Sequence, residues 1–335
     1  MSLVSAERLG RTFPSGGLLA GRRRVQAVAG VDLALAGGEA VGLVGESGSG
    51  KSTVGRLLLG LLPASEGRVL FDGIDIGRSG RSRFRRLRRR MQLVFQDPYA
   101  SLDPRRTVGS QIADGLAIHR LAAASERSRR VEALLEEVGL SAEHARRYPH
   151  EFSGGQRQRI GIARALATEP DFLVADEPVS ALDVSVQAQV LALLADLCTR
   201  RGLTMLFISH DLAAVRHLCS RVIVLYLGRI MEEGETETVF TAARHPYTLA
   251  LLSAQPSLDP LHRRRRVLLP GEPPSPTDPP SGCVFRTRCP HALSACADAV
   301  PPLREAEAAG HRFACIRDDI PALSRGALPQ PTCRA

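Results

Sequence analysis

The sequence is poor in the features that mark a membrane-spanning or secreted chain. No apolar run reaches 18 residues, so no membrane-spanning helix is predicted. Near the start, Glu7 and Arg8 lie where a signal peptide would need its apolar core, and secretion is not expected. Lysine is almost absent as well, since Lys51 is the single lysine among 44 basic residues. These absences predict a cytosolic chain, unless a partner holds it at a membrane.

Cysteine is scarce over most of the chain, because five of the seven cysteines follow residue 280. In a reducing compartment they are not expected to pair as disulfides. The composition is otherwise that of a globular protein, 44% hydrophobic and 24% charged. Much of the net charge of +9 lies in two arginine runs, at residues 78–90 and 263–266. Such runs indicate either a solvated surface or a contact with nucleic acid or anionic lipid, and composition leaves the choice open.

Residues 45–52 read GESGSGKS and fit the phosphate-binding pattern G-x-x-x-x-G-K-[ST]. A short apolar run at residues 40–44 precedes the pattern, and apolar residues at helical spacing follow it as far as Pro63. In the order strand, glycine-rich loop, helix, backbone N–H groups and the helix N-terminus face a polyphosphate. The residues expected to contact the nucleotide here are Gly45, Ser47, Gly48, Ser49, Gly50, Lys51, Ser52 and Thr53.

The single lysine sharpens this prediction. Everywhere else the chain uses arginine as its cation, and Lys51 stands where a compact ammonium fits between phosphates and a planar guanidinium does not. Lys51 would reach the β and γ phosphates, and the hydroxyl of Ser52 would complete a Mg²⁺ shell. The sequence therefore predicts a protein that binds a nucleoside triphosphate.

Three further segments place polar residues where chemistry is expected. The apolar run 172–175 ends at Asp176 and Glu177, and a second apolar run ends at His210. Strand ends are where open α/β sheets place their active sites. One carboxylate there can hold Mg²⁺ through water, a second can orient an attacking water, and the histidine can sense the γ-phosphate. The Ser-Gly-Gly turn at residues 153–155 opens a helical pattern and indicates a second anion site.

Together these motifs resemble the ATP-binding subunit of an ATP-binding cassette (ABC) transporter, from residue 1 to about residue 240. The resemblance implies an α/β fold with a RecA-like P-loop core, an antiparallel β subdomain and an α-helical signature subdomain. The cassette would occupy residues 1–244, with the helical subdomain at about residues 97–165. The implied cofactors are ATP and Mg²⁺.

The resemblance also assigns roles to single residues. The expected catalytic residues are Glu177 as the base, His210 as the switch histidine and Lys51. The expected ligands of Mg²⁺ are Ser52, Gln96 and Asp176. The signature motif, which would contact ATP held by a facing subunit, comprises Ser153, Gly154, Gly155 and Gln156. Phe13 falls at the position of an aromatic residue that stacks on adenine, residues 180–183 match the D-loop, and Phe152 replaces a leucine found in many members.

Residues 245–335 resemble the C-terminal extension of oligopeptide and dipeptide importer ATPases. The cysteines that fit this extension are Cys283, Cys289, Cys296 and Cys315. Their gaps match neither the usual zinc spacing nor the common ferredoxin spacings, so spacing leaves zinc, an iron–sulfur cluster and free thiols open. The resemblance favours a [4Fe–4S] cluster. Because this segment is short of large apolar residues, we expect a metal centre to supply the energy that folds it.

The resemblance implies an ATPase that drives import of dipeptides, oligopeptides or similar small solutes across the plasma membrane. Its partners would be two transmembrane permease subunits, a second ABC ATPase subunit and, indirectly, an extracytoplasmic solute-binding protein. The chain would bind peripherally at the cytoplasmic face of the membrane. A paralogous second cassette, giving a heterodimer, is favoured. The transported solute is not encoded here, because in such importers specificity lies in the binding protein and the permease.

Two other interpretations have less support. A soluble ABC-type ATPase could act on nucleic acid through the arginine runs, but such relatives carry two cassettes or a large insertion, and nucleic acid is not an expected partner. A non-hydrolytic scaffold conflicts with the intact Glu177 and His210.

Overall fold

The computed structural model describes residues 2–15, 23–97, 99–255, 267 and 269–320. The strands are β1 (Ser2–Ser15), β2 (Arg23–Ala36), β3 (Ala40–Val44), β4 (Glu66–Phe71), β5 (Ile74–Asp75), β6 (Met91–Val94), β7 (Phe172–Asp176), β8 (Thr204–Ser209), β9 (Arg221–Tyr226), β10 (Arg229–Glu235), β11 (Arg304–Glu305) and β12 (Arg312–Phe313). The α-helices are α1 (Lys51–Leu58), α2 (Arg81–Arg90), α3 (Val108–Ile118), α4 (Ala124–Glu137), α5 (Gly154–Leu166), α6 (Val184–Arg201), α7 (Leu212–Leu218), α8 (Thr236–Ala242) and α9 (Pro246–Ser253). The arginine run 263–266 and Cys333 lie outside the described residues.

The larger sheet carries the predicted strand–loop–helix unit. Its strand order is β11-β12-β10-β9-β3-β8-β7-β6, and β6, β7, β8, β3 and β9 run parallel. Strands β7 and β8 are buried along their whole length, as is expected of parallel strands covered on both faces. The carboxyl ends of β3, β8 and β7 therefore lie side by side. This mixed sheet confirms the predicted α/β class.

A second, antiparallel sheet has the order β2-β1-β4-β5. Its apolar face shares one core with α1 and with one face of the larger sheet. Leu9, Leu35 and Phe71 of this sheet are fully buried, as is Leu57 of α1. Each such side chain contributes about 1.5–3 kcal/mol by leaving water, so the sheet and α1 hold each other in place. This fixes the first turn of α1, where Lys51 stands.

Helices α3, α4 and α5 form a layer beyond β6. Their buried residues, which include Val108, Ile112, Leu135 and Ile160, belong to one core. The side chain of Thr107 accepts a hydrogen bond from the Ser110 N–H and so begins α3 with a cap. These helices orient the Ser-Gly-Gly turn, because that turn is the first turn of α5.

The first arginine run forms α2, in which only Leu87 is buried. Several of its arginines have partners within the chain. Arg90 contacts both Asp171 and Asp72, and its Nη1 lies 2.8 Å from an Asp72 carboxylate oxygen. The guanidinium of Arg85 donates to the carbonyl oxygen of Ile118 at 2.8 Å. Part of the positive charge of this run is thus used to fasten α2 to its neighbours.

The C-terminal segment folds against the cassette. Strand β12 pairs with β10, and β11 pairs with β12, so the segment adds strands to the larger sheet. Phe285 is fully buried and packs on Tyr226 and Tyr247. The ring centroid of Phe285 lies 5.3 Å from that of each tyrosine. The expectation that only a metal centre could fold this segment is not supported. Packing on the cassette supplies the apolar contact that the segment cannot make within itself.

A buried polar cluster fastens this packing. Glu232 of β10 is fully buried, and its carboxylate accepts hydrogen bonds from the backbone N–H groups of Arg244 at 2.7 Å and His245 at 2.9 Å. The same carboxylate lies 2.7 Å from Nε2 of His311. His245 is also buried, and its Nδ1 accepts the N–H of Tyr247 at 3.1 Å. A buried carboxylate is tolerated only when it is partnered in this way.

Acidification is expected to weaken the fold through His245. Burial lowers the pKa of its side chain from 6.5 to about 4, although the negative charge of Glu232 opposes the shift. The unfolded chain therefore binds a proton at pH values where the folded chain does not. The stabilisation is complete above pH 6.5 and is lost as the pH falls toward 4. This one group should remove about 2 kcal/mol from the free energy of unfolding between about pH 7 and pH 5.

Urea unfolding at the two pH values measures this effect. His245→Asn is the matched variant, because its side-chain oxygen can still accept the Tyr247 N–H but does not titrate. We expect the parent chain to lose about 2 kcal/mol more than the variant on acidification. Equal losses in the two chains would contradict the role given to His245.

None of the helices in the described part of the chain combines the length and the apolar composition of a membrane span.

Candidate active site

The glycine-rich loop leaves β3 and enters α1 by a backbone path that requires glycine at two points. Gly45 has φ +153°, and a Cβ there would lie 2.1 Å from the carbonyl oxygen of Leu225. Gly50 has φ +102°, and a Cβ there would lie 2.3 Å from the carbonyl oxygen of Ala27. Neither contact can be relieved, since each neighbour is backbone. The loop is thus pressed against β2 and β9, and its free side faces away from the sheet.

Lys51 lies at the base of this loop. Its side chain is buried, and Nζ donates to the carbonyl oxygens of Gly45 at 2.7 Å and Glu46 at 2.9 Å. Burial lowers the pKa of Lys51, whereas the nearby carboxylates of Glu177 and Asp176 raise it. The ammonium is therefore held among the loop carbonyls, at the position that the sequence predicted for phosphate binding.

Ser52 and Asp176 meet at the predicted magnesium position. The hydroxyl of Ser52 donates to Oδ1 of Asp176 at 2.8 Å, although the two residues are far apart in sequence. Burial raises the pKa of Asp176, and the hydrogen bond from Ser52 opposes the shift. A hydroxyl and a carboxylate are hard oxygen donors of the kind that Mg²⁺ prefers, so these residues fit that ion.

Glu177 follows the end of β7 in a strained conformation. Its φ is +47°, which is rare for a residue other than glycine, and its N–H donates to the carbonyl oxygen of Ile208 at 2.9 Å. This turn points the carboxylate toward two other predicted residues. Oε2 lies 3.1 Å from Nε2 of Gln96 and 3.3 Å from Nδ1 of His210. Residues from three separate strand ends thus converge on one carboxylate.

A cavity of about 620 Å³ opens between the loop and this carboxylate. The residues that line it are Ala27, Ser47, Gly48, Gly50, Lys51, Ser52, Thr53, Gln96, Glu177 and His210. All of them except Ala27 were predicted from the sequence. The hydroxyl of Ser49 is buried beneath the loop, and no described residue gives it a hydrogen-bond partner. The arrangement offers backbone N–H groups and one ammonium to a polyphosphate, and one carboxylate lies beside them.

Phe13 does not line this cavity in the part of the chain that the structure describes. It lies on β1, opposite Val25, and the guanidinium of Arg11 covers its ring at 4.6 Å from the centroid. Its role in stacking on a base therefore stays a prediction.

The signature motif also lies away from this cavity. Ser153 caps α5: its side chain accepts the Gln156 N–H at 3.3 Å, and the Gln156 side chain accepts the Ser153 N–H at 3.0 Å. Gly155 is required by packing, because a Cβ there would lie 2.3 Å from Val186 of α6. None of residues 153–156 is among the residues that line the cavity of this chain. The motif is instead presented at the molecular surface, where Ser153 is exposed.

Three residues in contact at the back of the loop were not predicted to take part in the site. Glu46 belongs to the loop, Tyr247 to α9, and Arg288 to the C-terminal segment. Arg288 pairs with the Glu46 carboxylate, and the Tyr247 hydroxyl accepts the Glu46 N–H. No sequence pattern links residues separated by 242 positions. The one hint of this contact in the sequence was that Glu46 places a negative charge at an unspecified position of the phosphate-binding pattern.

The predicted iron–sulfur site finds no support. Within the described ranges, no group of three or more His, Cys, Asp or Glu side chains is arranged to hold a metal ion. Cys283 and Cys296 are buried as part of the apolar core, and Cys289 and Cys315 pack against it. Burial raises the pKa of Cys289 to about 12, with smaller contributions in the same direction from the neighbouring Cys315, Cys283 and Cys296. The energy that a metal centre was expected to supply for folding comes instead from packing of the segment on the cassette.

Comparison with known families gives two matches. The family described as ABC transporter matches residues 28–180. The family described as oligopeptide/dipeptide transporter, C-terminal region, matches residues 231–296.

Relatives match over nearly the whole chain. A Brucella ovis protein, provisionally named as a peptide import ATP-binding protein, is 60% identical over 87% of this chain and 91% of its own length. The oligopeptide transport ATP-binding protein of Bacillus subtilis is 51% identical over 87% of this chain and 89% of its own length. The dipeptide transport ATP-binding protein of Haemophilus influenzae is 48% identical over 95% of this chain and 97% of its own length.

Solved structures of ATP-binding cassettes share the fold. A dimeric cassette in a post-hydrolysis state, bound to ADP and Pi, is 30% identical with a TM-score of 0.63, over 70% of this chain and 98% of its own. A cassette from a Clostridium perfringens ABC transporter complex is 30% identical with a TM-score of 0.61, over 71% of this chain and 90% of its own.

Proposed function

The chain belongs to the ABC transporter family, and on that premise we propose that it is the ATP-hydrolysing subunit of an importer of dipeptides, oligopeptides or similar small solutes. The observation that carries this proposal is the convergence of Lys51, Glu177 and His210 on one cavity behind a glycine-rich loop. Relatives named for oligopeptide and dipeptide transport support the class of solute.

The loop and its lysine would bind the phosphates of ATP. Backbone N–H groups at the start of α1 and the ammonium of Lys51 offer positive charge on the same side of the cavity. No acidic residue lies in the first turn of α1 to oppose an anion. Ser52, Asp176 and Gln96 would hold Mg²⁺, which would neutralise charge developing on the transferred phosphoryl group.

Glu177 would act as the general base. A water that attacks the γ-phosphate must lose a proton, and the carboxylate of Glu177 is the acceptor beside the cavity. Gln96 and His210 contact the same carboxylate oxygen and would keep it oriented. The strained backbone of Glu177 is consistent with a side chain whose direction matters more than its contribution to stability.

The ATP site would be completed by a second cassette. The signature motif begins α5 at the molecular surface and does not line the cavity beside the chain's own loop. Beside it, the D-loop leads into α6, whose first residue Val184 is 82% exposed. An exposed apolar side chain beside a helix N-terminus at the surface suits a contact between facing subunits. We favour a paralogous partner and therefore a heterodimer.

The permease would dock in a groove beside α2 and α3. The groove has a volume of about 1030 Å³ and includes the apolar side chains of Leu61, Phe95 and Ile118, which are exposed. Gln96 and Asp176 line its inner end, so the groove adjoins the nucleotide site. A partner segment seated there would sense movement of Gln96. We propose two transmembrane permease subunits as the partners, with peripheral attachment at the cytoplasmic face and an indirect link to an extracytoplasmic solute-binding protein.

Copurification tests the proposal. Tagged full-length chain, extracted from membranes with mild detergent, is expected to bring down two permease subunits and a second cassette with ATPase activity. Ile118→Glu should abolish recovery of the permeases, because it places a charge in the groove, while nucleotide binding is retained. The matched control is Leu293→Glu, which changes an apolar residue of similar exposure on the C-terminal segment.

Two outcomes would count against the proposal. Recovery of no membrane subunit by the parent chain, together with salt-sensitive binding to DNA, would favour action on nucleic acid instead. Equal recovery of permeases by the Ile118→Glu variant would remove the groove as the docking site.

A further inference from the structure

Glu46 links the phosphate-binding loop to the C-terminal segment of the chain. We propose that Arg288 and Tyr247 are positioning residues that hold Glu46, and thereby set the affinity of the loop for ATP. This inference rests on the proposed function, since it assumes that the loop binds ATP. It gives the C-terminal segment a part in nucleotide binding.

Each polar group of Glu46 is fixed by a different element. Its N–H donates to the hydroxyl of Tyr247 at 2.8 Å, and its carbonyl oxygen accepts from Nζ of Lys51 at 2.9 Å. Its two carboxylate oxygens accept from Nη1 and Nη2 of Arg288 at 2.7 and 3.2 Å. One peptide group of the loop is therefore oriented by α9, the next carbonyl by Lys51 of α1, and the Glu46 side chain by the C-terminal segment.

The contact between Arg288 and the Glu46 carboxylate is a bidentate ion pair. A guanidinium that meets both carboxylate oxygens in parallel is stronger and more directional than a single hydrogen bond. The side chain of Arg288 is 8% exposed and that of Glu46 is 27% exposed, so water screens the pair only in part. Arg288 Nη1 also lies 3.4 Å from the hydroxyl of Tyr226. The pair is the contact through which this arginine reaches the active site.

The surroundings of the pair are rigid. Tyr226 and Tyr247 are fully buried, and their ring centroids lie 4.7 Å apart. Phe285, three residues before Arg288, packs on both rings. Close-packed aromatic side chains do not yield easily, so they fix the backbone from which Arg288 extends. The C-terminal segment thus acts as a support for the loop.

The negative charge of Glu46 explains why its pairing with Arg288 should affect ATP affinity. Glu46 is a carboxylate inside a loop that must accept several negative charges, and its field already reaches Lys51. Arg288 neutralises it. Without Arg288, the carboxylate would repel the triphosphate and would be free to attract the ammonium of Lys51 away from the phosphates. ATP affinity should fall while the catalytic groups at Glu177 are undisturbed.

The experiment uses the full-length chain and a fluorescent ATP analogue. Arg288→Gln is expected to weaken binding about tenfold, and Arg288→Lys less, because it keeps the charge but loses the paired geometry. The double variant Glu46→Gln with Arg288→Gln should return to within about threefold of the parent chain, since the repulsive charge is gone. In the assembled transporter, Arg288→Gln should raise KM for ATP with little change in kcat.

The matched control is Arg312→Gln. Arg312 also pairs with a buried carboxylate of the cassette, but that carboxylate is Glu233 of β10 and does not belong to the loop. Arg312→Gln should leave ATP affinity unchanged, even if Arg312→Gln and Arg288→Gln both lower the unfolding temperature.

The outcomes separate this inference from the proposed function. If the parent chain does not bind ATP, the proposed function fails. If the parent chain binds ATP, three results would overturn the positioning role. Arg288→Gln could bind ATP as tightly as the parent, or the double variant could fail to recover ATP affinity. Arg312→Gln could also lose as much ATP affinity as Arg288→Gln. Should Arg288→Gln fail to fold, the comparison passes to Arg288→Lys and Tyr247→Phe. The second of these deletes the acceptor of the Glu46 N–H and should also weaken ATP binding.

Discussion

Replacing Glu177 by glutamine is expected to lower the rate of ATP hydrolysis by about 100-fold or more and to leave ATP affinity within about threefold. Glutamine has the shape of glutamate but cannot accept the proton of an attacking water. The residues that bind the phosphates, Lys51 and Ser52 among them, are not altered. The loss should therefore appear in kcat of the assembled transporter, and not in the dissociation constant of a fluorescent nucleotide.

A second carboxylate provides the control for this experiment. Glu169 lies on the surface, where it pairs with Arg89 and Arg130, so Glu169→Gln removes the same charge away from the cavity. It should hydrolyse ATP at the parent rate. Hydrolysis at the parent rate by Glu177→Gln would show that the base is another group.

The same substitution tests the proposed heterodimer. With hydrolysis blocked, ATP should hold facing cassettes together. Size-exclusion chromatography of the Glu177→Gln chain with ATP and Mg²⁺ should show a monomer when the chain is alone and a dimer when a paralogous cassette is added. A tight homodimer formed by this chain alone would count against the heterodimer.

Replacing Lys51 by alanine is expected to weaken ATP binding by about 100-fold or more, since two or more charge-assisted hydrogen bonds to phosphate are lost. The change also leaves the carbonyl oxygens of Gly45 and Glu46 without their donor. Lys51→Arg should not restore binding, because a planar guanidinium does not fit in the space that the buried ammonium occupies. Calorimetric titration with ATP and Mg²⁺ measures both variants.

Arg68→Ala is the matched control for the lost positive charge. Arg68 forms an exposed ion pair with Glu7, and exposed pairs contribute little to stability. It should bind ATP as the parent chain does. Tight binding of ATP by Lys51→Ala would mean that the loop, and not the lysine, carries the affinity.

The sequence was a good guide wherever short-range order decides the structure. The loop and its flanking strand and helix are contiguous, so their pattern predicted them directly. Asp176, Glu177 and His210 were found because each follows a buried apolar run, and parallel strands bring such positions to one side of a sheet. The contact between Glu177, Gln96 and His210 follows from this topology.

Long-range contacts could not be predicted in the same way. The pair of Arg288 with Glu46 depends on where the C-terminal segment docks, and that depends on packing around Phe285. The same packing accounts for the unsupported metal site. The segment has few large apolar residues of its own, but Phe285 and Phe313 are buried against a surface that the cassette provides.

The short strand β12 has a consequence for the solubility of the chain. It forms the backbone ladder with the middle of β10, opposite Glu232 and Glu233. Without it, β10 would become an outermost strand with unpaired N–H and C=O groups, and two buried carboxylates would lose His311 and Arg312. An exposed strand of this kind recruits strands from other molecules, which leads to aggregation. The C-terminal segment therefore also shields this edge of the sheet from association with other copies.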